Sequence, residues 1–159
     1  MTPRAASERL VEYALDLIGD SRARVADVGT GSGAIAIAVA RAAPRVEVWA
    51  SDLSSPAVAL ARANLRRHGL GGRVFVRDGD LLEPLPGSFD LVLANLPYLP
   101  AASAAAHPEL NGEPPDAVYA PGDGLGLYRR LLAQSAGRRR PRGAIAFQLH
   151  REVAAAAAA

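Results

Sequence analysis

The tetrapeptide Asn95-Leu96-Pro97-Tyr98 closes the apolar run Phe89 to Ala94. An Asn side chain offers one carbonyl acceptor and one NH2 donor and carries no charge. Set at the end of a strand, it would stand at the carboxyl edge of a sheet, where open α/β folds bind their ligands, with Pro97 stiffening the turn that presents it. A planar substrate NH2 can then be held between the side-chain oxygen of Asn95 and the backbone carbonyl of Leu96, with its nitrogen aimed at an electrophile. Tyr98 is placed to stack on the flat group. This is the chemistry of an amide or an exocyclic amine receiving a methyl group.

A second group of residues supplies the partner for such a reaction. Val25-Ala26-Asp27-Val28-Gly29-Thr30-Gly31-Ser32-Gly33 runs into Ala34-Ile35-Ala36-Ile37-Ala38-Val39. The pattern is strand, glycine turn, helix. Glycines let the backbone turn tightly and approach a ligand, and a helix beginning near Ser32 offers unpaired N–H groups. Nucleotide and dinucleotide binders share such loops. The order Gly29-x-Gly31-x-Gly33, with Asp27 two residues before the first glycine, favours S-adenosylmethionine over NAD or FAD. That cofactor has no pyrophosphate to cradle but carries an ammonium for Asp27 or nearby carbonyls.

Asp52 ends the third element, Val46-Glu47-Val48-Trp49-Ala50-Ser51-Asp52, 21 residues beyond Gly31. An acidic group at the tip of the second strand, about 20 residues past the glycine turn, is placed to accept both ribose hydroxyls. Alone, an Asp at a strand end is an N-cap or a turn former. Here the glycine loop before it and Asn95 after it favour the ligand role.

The elements that must carry these residues alternate. A helix is predicted from Ser7 to Ile18, stopping at Gly19, within a leading segment 1–20. Strands are predicted near Ala23 to Val28, Val46 to Ser51, Arg73 to Arg77, Leu91 to Ala94 and Ala144 to Leu149. The helix Pro56 to His68 has Ser55 as N-cap, Pro56 at its first position and Gly69 just past its end. Such alternation predicts an α/β fold with a doubly wound, mostly parallel sheet in the order 3-2-1-4-5. We find no internal repeat and expect one domain over 1–159. Leu99 to Asp123, 25 residues rich in Ala and Pro, lacks a period and directly follows Tyr98. It reads either as a lid over the substrate amide or as a floppy insertion.

Composition narrows the partners. Eighteen Arg, no Lys and 16 acids leave a formal net charge of +2. This is a small excess rather than a polybasic surface, so nucleic acid is not implied by charge. With no Cys there is neither a disulfide framework nor a thiolate metal site, which fits a cytoplasmic protein. His68, His107 and His150 show no metal-ligand spacing, and no metal is expected. The first twenty residues are too charged for a secretory leader, and no uncharged stretch approaches membrane-spanning length. Arg138-Arg139-Arg140-Pro141-Arg142 reads as a solvated loop. Ser32 has no evident base partner, and Asp78-Gly79-Asp80 reads as a turn with Asp80 in a supporting role.

Asp27 through Ala36, with Asp52 and Asn95-Leu96-Pro97-Tyr98, resembles the protein-(glutamine-N5) methyltransferases that modify peptide-chain release factors. Thr2-Pro3-Arg4 with Glu8 to Glu12 is similar to the segment that opens that family's catalytic domain. Glu113-Pro114, Gly122 to Leu125 and Tyr128 to Leu132 are similar to a later signature, so the resemblance spans nearly the whole chain. It implies a Rossmann-like fold of the class I S-adenosylmethionine-dependent type and a release factor as protein partner. Gly29, Thr30, Gly31, Ser32, Gly33 and Asp52 would contact cofactor, Leu81 would lie against the adenine near Asp80, and Asn95 through Tyr98 would take the substrate glutamine. Leu96 stands where the family usually has Pro, a tolerable change where the backbone carbonyl does the binding. The family's leading helical domain and its C-terminal strand hairpin are expected to be missing, so the last strand would be an exposed edge with Ile145, Phe147 and Leu149, open to self-association.

Two other readings stay open. Asn-Leu-Pro-Tyr also resembles the ribosomal RNA adenine dimethylases, which implies N6-adenine methylation of RNA or DNA with Tyr98 stacking a flipped base. Those enzymes generally carry Glu where Asp27 stands. The third reading is a non-catalytic cofactor-binding module.

Overall fold

The computed structural model describes residues 5–100, 102, 103, 107, 112, 114–149 and 153. Helix α1 (Ala5–Ile18) leads into strand β1 (Arg24–Val28), and helix α2 (Ala34–Ala42) into β2 (Glu47–Asp52). Helix α3 (Ser55–Arg67) precedes β3 (Val74–Asp78) and β4 (Phe89–Ala94). Short strands β5 (Leu99–Pro100) and β6 (Tyr119–Ala120) flank a 3-10 turn at Pro115–Ala117, before helix α4 (Gly126–Ser135) and strand β7 (Arg139–Phe147).

Five strands form one sheet in the order β3-β2-β1-β4-β7, and every neighbouring pair is parallel. Counting only these strands, this is the expected 3-2-1-4-5 order. The chain winds outward from β1 to β3, then crosses back to β4 on the other side of β1. That reversal puts the crevice for a ligand beyond the carboxyl ends of β1 and β4.

The sequence explains which faces are covered. Strand β4 is buried on both faces, as a central parallel strand must be: Leu91 and Leu93 point to one core, Val92 and Ala94 to the other. The first core takes Leu10, Ala14 and Ile18 of α1, spaced four apart along one helical stripe, together with the buried faces of α2 and α3. The second gathers Leu82, Leu85, Phe89, Tyr128 and Leu131 under α4. Among the described residues no helix is long and apolar enough to cross a membrane.

Three local expectations need correction. The cap of α3 is Ser54, whose hydroxyl accepts from Ala57 N at 3.4 Å, while Ser55 is already helical and donates to Asp78 Oδ2 at 2.5 Å. Both serines can cap, and the hydroxyl facing Asp78 gains a charged acceptor by entering the helix. The Arg138 to Arg142 segment is not a free loop: Arg139 already pairs with Phe89, and Arg140 binds Asp90 Oδ2 at 2.9 Å. A register shift between Phe89 and Leu91 absorbs the extra residues, and Arg142 takes φ +66 there. The side chains of Arg139 to Arg142 are exposed, as expected, although their backbone is strand. Finally, β7 ends at Phe147 rather than Leu149, its last rung to β4 being Gln148 N to Ala94 O at 3.0 Å.

Several described residues of the segment after Tyr98 are packed. Leu99, Val118 and Ala120 are buried, and β5 pairs in parallel with β6. Thr2 to Arg4, Glu113, His150 and the tail from Ala154 lie outside the described residues.

Candidate functional site

Strand β1 ends at Val28, and the next five residues build the turn. Gly29, Gly31 and Gly33 have φ of +70, +57 and +82, a region that an L side chain rarely adopts. The three are not equivalent. A Cβ on Gly29 would stand 2.5 Å from Leu96 Cδ2, so this glycine lets the β1 turn touch the β4 motif. One on Gly33 would press on Ala61 at 3.3 Å, so this glycine seats α2 against α3. Around Gly31 a Cβ would meet nothing within 4 Å, because it faces the cleft.

The turn is tied to the next strand. Gly29 N and Thr30 N both donate to Ser51 O, at 2.9 and 3.0 Å. Asp52 braces it: Oδ2 accepts Gly31 N at 2.8 Å and Oδ1 accepts Ser54 N at 2.9 Å. Each carboxylate oxygen keeps a second lone pair for a ligand hydroxyl. Ser51, fully buried, also donates its hydroxyl to Leu81 O at 2.6 Å, so one small polar residue joins the glycine turn to the loop after β3. Leu81 sits there at φ +48 with its side chain buried. Asp80 beside it pairs with Arg130 of α4.

Asp27 lies under the turn. It is completely buried, and its Oδ2 accepts from Thr30 Oγ1 at 2.6 Å and Ala36 N at 3.1 Å. Its Oδ1 is buried with no hydrogen-bond partner among the described residues. Burial pushes the carboxyl from 3.8 up to about 6; the Thr30 and Ala36 hydrogen bonds oppose the rise, and the Asp52 charge adds to it. Asp27 lines neither of the cavities described next.

A cleft of about 490 Å³ opens over the carboxyl ends of the strands. Gly29, Gly31, Asp52, Asp80, Leu81 and Asn95 line it, together with Leu96 and Pro97. Leu53 and Leu60, large apolar side chains 75% and 49% exposed, border it as well. Pro114, Asp116 and Ala117, from the segment expected to cover the site, form part of its wall. A second cavity of about 450 Å³ lies between α1 and α2, lined by Ser7, Glu8, Val11, Glu12, Ile35 and Asn95 among others. Asn95 borders both, so a group held by its amide sits where they meet. Its Nδ2 donates to Ser7 Oγ at 3.3 Å, which leaves Oδ1 on the opposite side of the amide.

Behind the motif stands Tyr128 of α4. Its hydroxyl accepts Leu96 N–H at 3.1 Å and lies 2.9 Å from Leu96 O and 3.0 Å from Gln148 O. Burial holds this phenol protonated far above its ordinary value. The Asp123 turn supports the far end of the motif: its carboxylate accepts from Leu125 N and from both terminal nitrogens of Arg129. That turn presents Gly124, where any Cβ would collide with Tyr98 O. The Tyr98 ring packs partly against the α4 core and lines neither cavity.

The structure thus brings the glycine turn, Asp52, Asp80, Leu81 and Asn95 to Pro97 around one cleft. It adds Ser51, Leu53, Ser7 and Tyr128, which sequence reasoning did not single out for a role in the site. Two of them left a signal: Ser51 is a polar residue directly before a strand-tip acid, and Leu53 is an apolar residue directly after it.

Comparison with known proteins bears on the family and the fold. Residues 5–108 match the family model described as the methyltransferase small domain. Release factor glutamine methyltransferase of Gloeobacter violaceus is 45% identical over 94% of this chain, and the Deinococcus radiodurans protein of the same name is 44% identical over the same share. The chain spans about half the length of these curated relatives, 54% in both cases. Among solved structures, a ribosomal protein L11 methylase from Lactobacillus delbrueckii subsp. bulgaricus superposes with a TM-score of 0.66 at 22% identity, covering 91% of this chain and 60% of that one. A precorrin 8W decarboxylase from Methanobacterium thermoautotrophicum gives 0.67 at 22%, covering 99% and 70%. These two likenesses speak to the fold, which is the Rossmann-like methyltransferase fold. With the family model matching 104 of its 159 residues, this chain belongs to the methyltransferase small domain family.

Proposed function

We propose that this chain is the catalytic domain of an S-adenosylmethionine-dependent N-methyltransferase that modifies a glutamine side-chain amide in a protein, a peptide-chain release factor. S-Adenosylmethionine is the methyl donor of this class, and the cleft has features that suit it. Gly31 leaves open space at the turn, Asp52 has lone pairs to spare, and Leu53, Leu60 and Leu81 offer apolar surface for a purine. The residues that would hold it are Gly29 to Gly33, Asp52, Asp80 and Leu81, with Asn95 at the methyl end. Asp27 supports the turn from beneath, and its unpartnered Oδ1 gives the region a negative bias that suits an ammonium. When bound, the cofactor supplies an electrophilic methyl group.

The observation that carries the reading is Asn95, which borders both cavities with Oδ1 opposite its bond to Ser7, beside Leu96, which lines the cleft and would supply its carbonyl as the second acceptor. An amide nitrogen delocalises its lone pair into its own carbonyl, so it reacts only when oriented, desolvated and held by acceptors that stabilise growing positive charge. Both acceptors are neutral and would take the two N–H groups of one NH2. No strong base is required, because the methylated nitrogen is acidic enough to lose its proton to water. Pro97 fixes the turn, and Tyr98 would stack beside the acceptor once the site is occupied.

We further assign the chain to the cytoplasm as one domain. The segment Leu99 to Asp123 is a lid in this reading, supported by Pro114, Asp116 and Ala117 in the cleft wall. Strand β7 is the edge through which copies would associate, since among the described residues it pairs with β4 alone. Incubation with labelled cofactor and, separately, purified release factor, ribosomal RNA and DNA tests the substrate. Label in the protein supports the glutamine reading. Label in either nucleic acid would replace it with adenine methylation, and label in none would leave a binding module.

A further inference from the structure

The Leu96 carbonyl, to which the proposed function assigns one N–H of the acceptor amide, already has a neighbour. Tyr128 Oη lies 2.9 Å from it, 3.1 Å from the N–H of the same residue and 3.0 Å from Gln148 O. A phenol has one proton and two lone pairs. It can therefore accept from Leu96 N–H while donating to only one of the two carbonyls at a time. Burial keeps that single proton in place.

We propose that Tyr128 is a positioning residue for methyl transfer. Its hydroxyl pins the Leu96 peptide at the N–H and releases the carbonyl to the incoming amine by swinging its proton to Gln148 O. The inference rests on the glutamine reading for the identity of the acceptor, but not for the geometry.

Two requirements make the arrangement workable. The first is a rigid frame, so that only a proton moves. Gln148 is fixed by its own N–H to Ala94 O at 3.0 Å, and the Phe147 ring meets Tyr128 edge-on, with centroids 5.1 Å apart and planes at 80°. Strand β4, helix α4 and strand β7 thus converge on one oxygen. The second is that the Tyr128 O–H has an acceptor in either state. If Gln148 O were absent, freeing Leu96 O would leave a buried O–H without an acceptor, which is costly. The two acceptors differ by 0.1 Å in distance, so neither is favoured by reach. A carbonyl that no longer shares its lone pairs with Tyr128 is the stronger acceptor for an amine developing positive charge.

A purely structural role for the ring would be kept by Tyr128→Phe, which preserves the contact with Phe147 and removes only the hydroxyl. We expect this variant to bind S-adenosylmethionine within about twofold of wild type, while kcat falls about tenfold to a hundredfold and KM for the acceptor changes far less, as for an interaction felt in the transition state. Activity is read with whichever acceptor the wild type labels. If that is an adenine amine rather than glutamine, the substrate reading fails while the Tyr128 inference is still tested, because an exocyclic amine uses the same carbonyl.

Two substrate-independent measurements accompany it. Hydrogen exchange at Leu96 N–H should be much faster in Tyr128→Phe than in wild type. In the wild type, carbonyl carbon shifts of Leu96 and Gln148 should move in opposite directions as an acceptor peptide is added. Unchanged kcat in the variant, a loss of cofactor affinity equal to the loss of turnover, unchanged Leu96 exchange, or carbonyl shifts that stay still would each overturn the proposal.

Discussion

Asp27→Asn tests whether the carboxylate under the glycine turn is held at a cost. Asp27 is fully buried and its Oδ1 has no partner among the described residues, while Thr30 and Ala36 satisfy Oδ2. Burial raises the carboxyl from 3.8 to about 6. Between these values the folded protein holds a proton that the unfolded chain has lost, so the stability from this group is full below pH 3.8 and is lost as pH rises through 6. The loss totals about 3 kcal/mol, of which roughly 2 to 3 kcal/mol falls between pH 4 and 7. Asn keeps an acceptor for Thr30 and Ala36 but cannot ionise. Its buried NH2 lowers stability by a constant amount, about 1 to 3 kcal/mol. The informative quantity is therefore the wild-type minus variant difference as a function of pH. Urea unfolding of both proteins at pH 4, 5, 6 and 7 should show wild type losing about 2 to 3 kcal/mol relative to the variant across the series. A difference flat to within about 0.5 kcal/mol would refute the reasoning, since an exposed or well-paired Asp27 gives no such trend.

Other outcomes follow from the same geometry. Asp52→Ala should weaken S-adenosylmethionine binding by about 1.5 to 3 kcal/mol in calorimetry, as for lost charge-assisted hydrogen bonds; equal affinity would remove Asp52 from the site. Asn95→Ala should lower single-turnover methylation far more than cofactor affinity, and near-normal turnover would dismiss the amide clamp. Gly29→Ala should lower unfolding stability by about 1 to 3 kcal/mol, because a Cβ meets Leu96 as well as adopting a disfavoured φ; Gly31→Ala, with open space around it, should be milder in stability and harsher on cofactor affinity.

The parts of this molecule that were legible in sequence are those fixed by local chemistry. Alternating apolar runs at β1, β2 and β4, punctuated by Gly29 to Gly33 and Pro56, state the parallel sheet and its order almost directly. Residues at strand tips are legible for the same reason: a strand end in such a sheet is a ligand edge, so the sequence alone puts Asp52 and Asn95 there. What escaped depends on contacts between distant segments. The cap of α3 moved from Ser55 to Ser54 because Asp78, 23 residues away, competes for a hydroxyl. Arg138 to Arg142 reads as a loop by charge and by Pro141, yet pairing with Phe89 and a shifted register make most of it strand. Tyr128 sits in an amphipathic helix where an aromatic usually means core packing. Only its meeting with Leu96, 32 residues away, shows that its hydroxyl is engaged.

The central claim is that Asn95 and Leu96 present a glutamine amide to a methyl donor. The most direct measurement is peptide mass spectrometry of a release factor incubated with this chain and methyl-labelled S-adenosylmethionine, run beside the Asn95→Ala variant. The account predicts one added methyl on a glutamine side-chain nitrogen with the wild type and almost none with the variant. A methyl on any other residue type, or equal labelling by the variant, would contradict it.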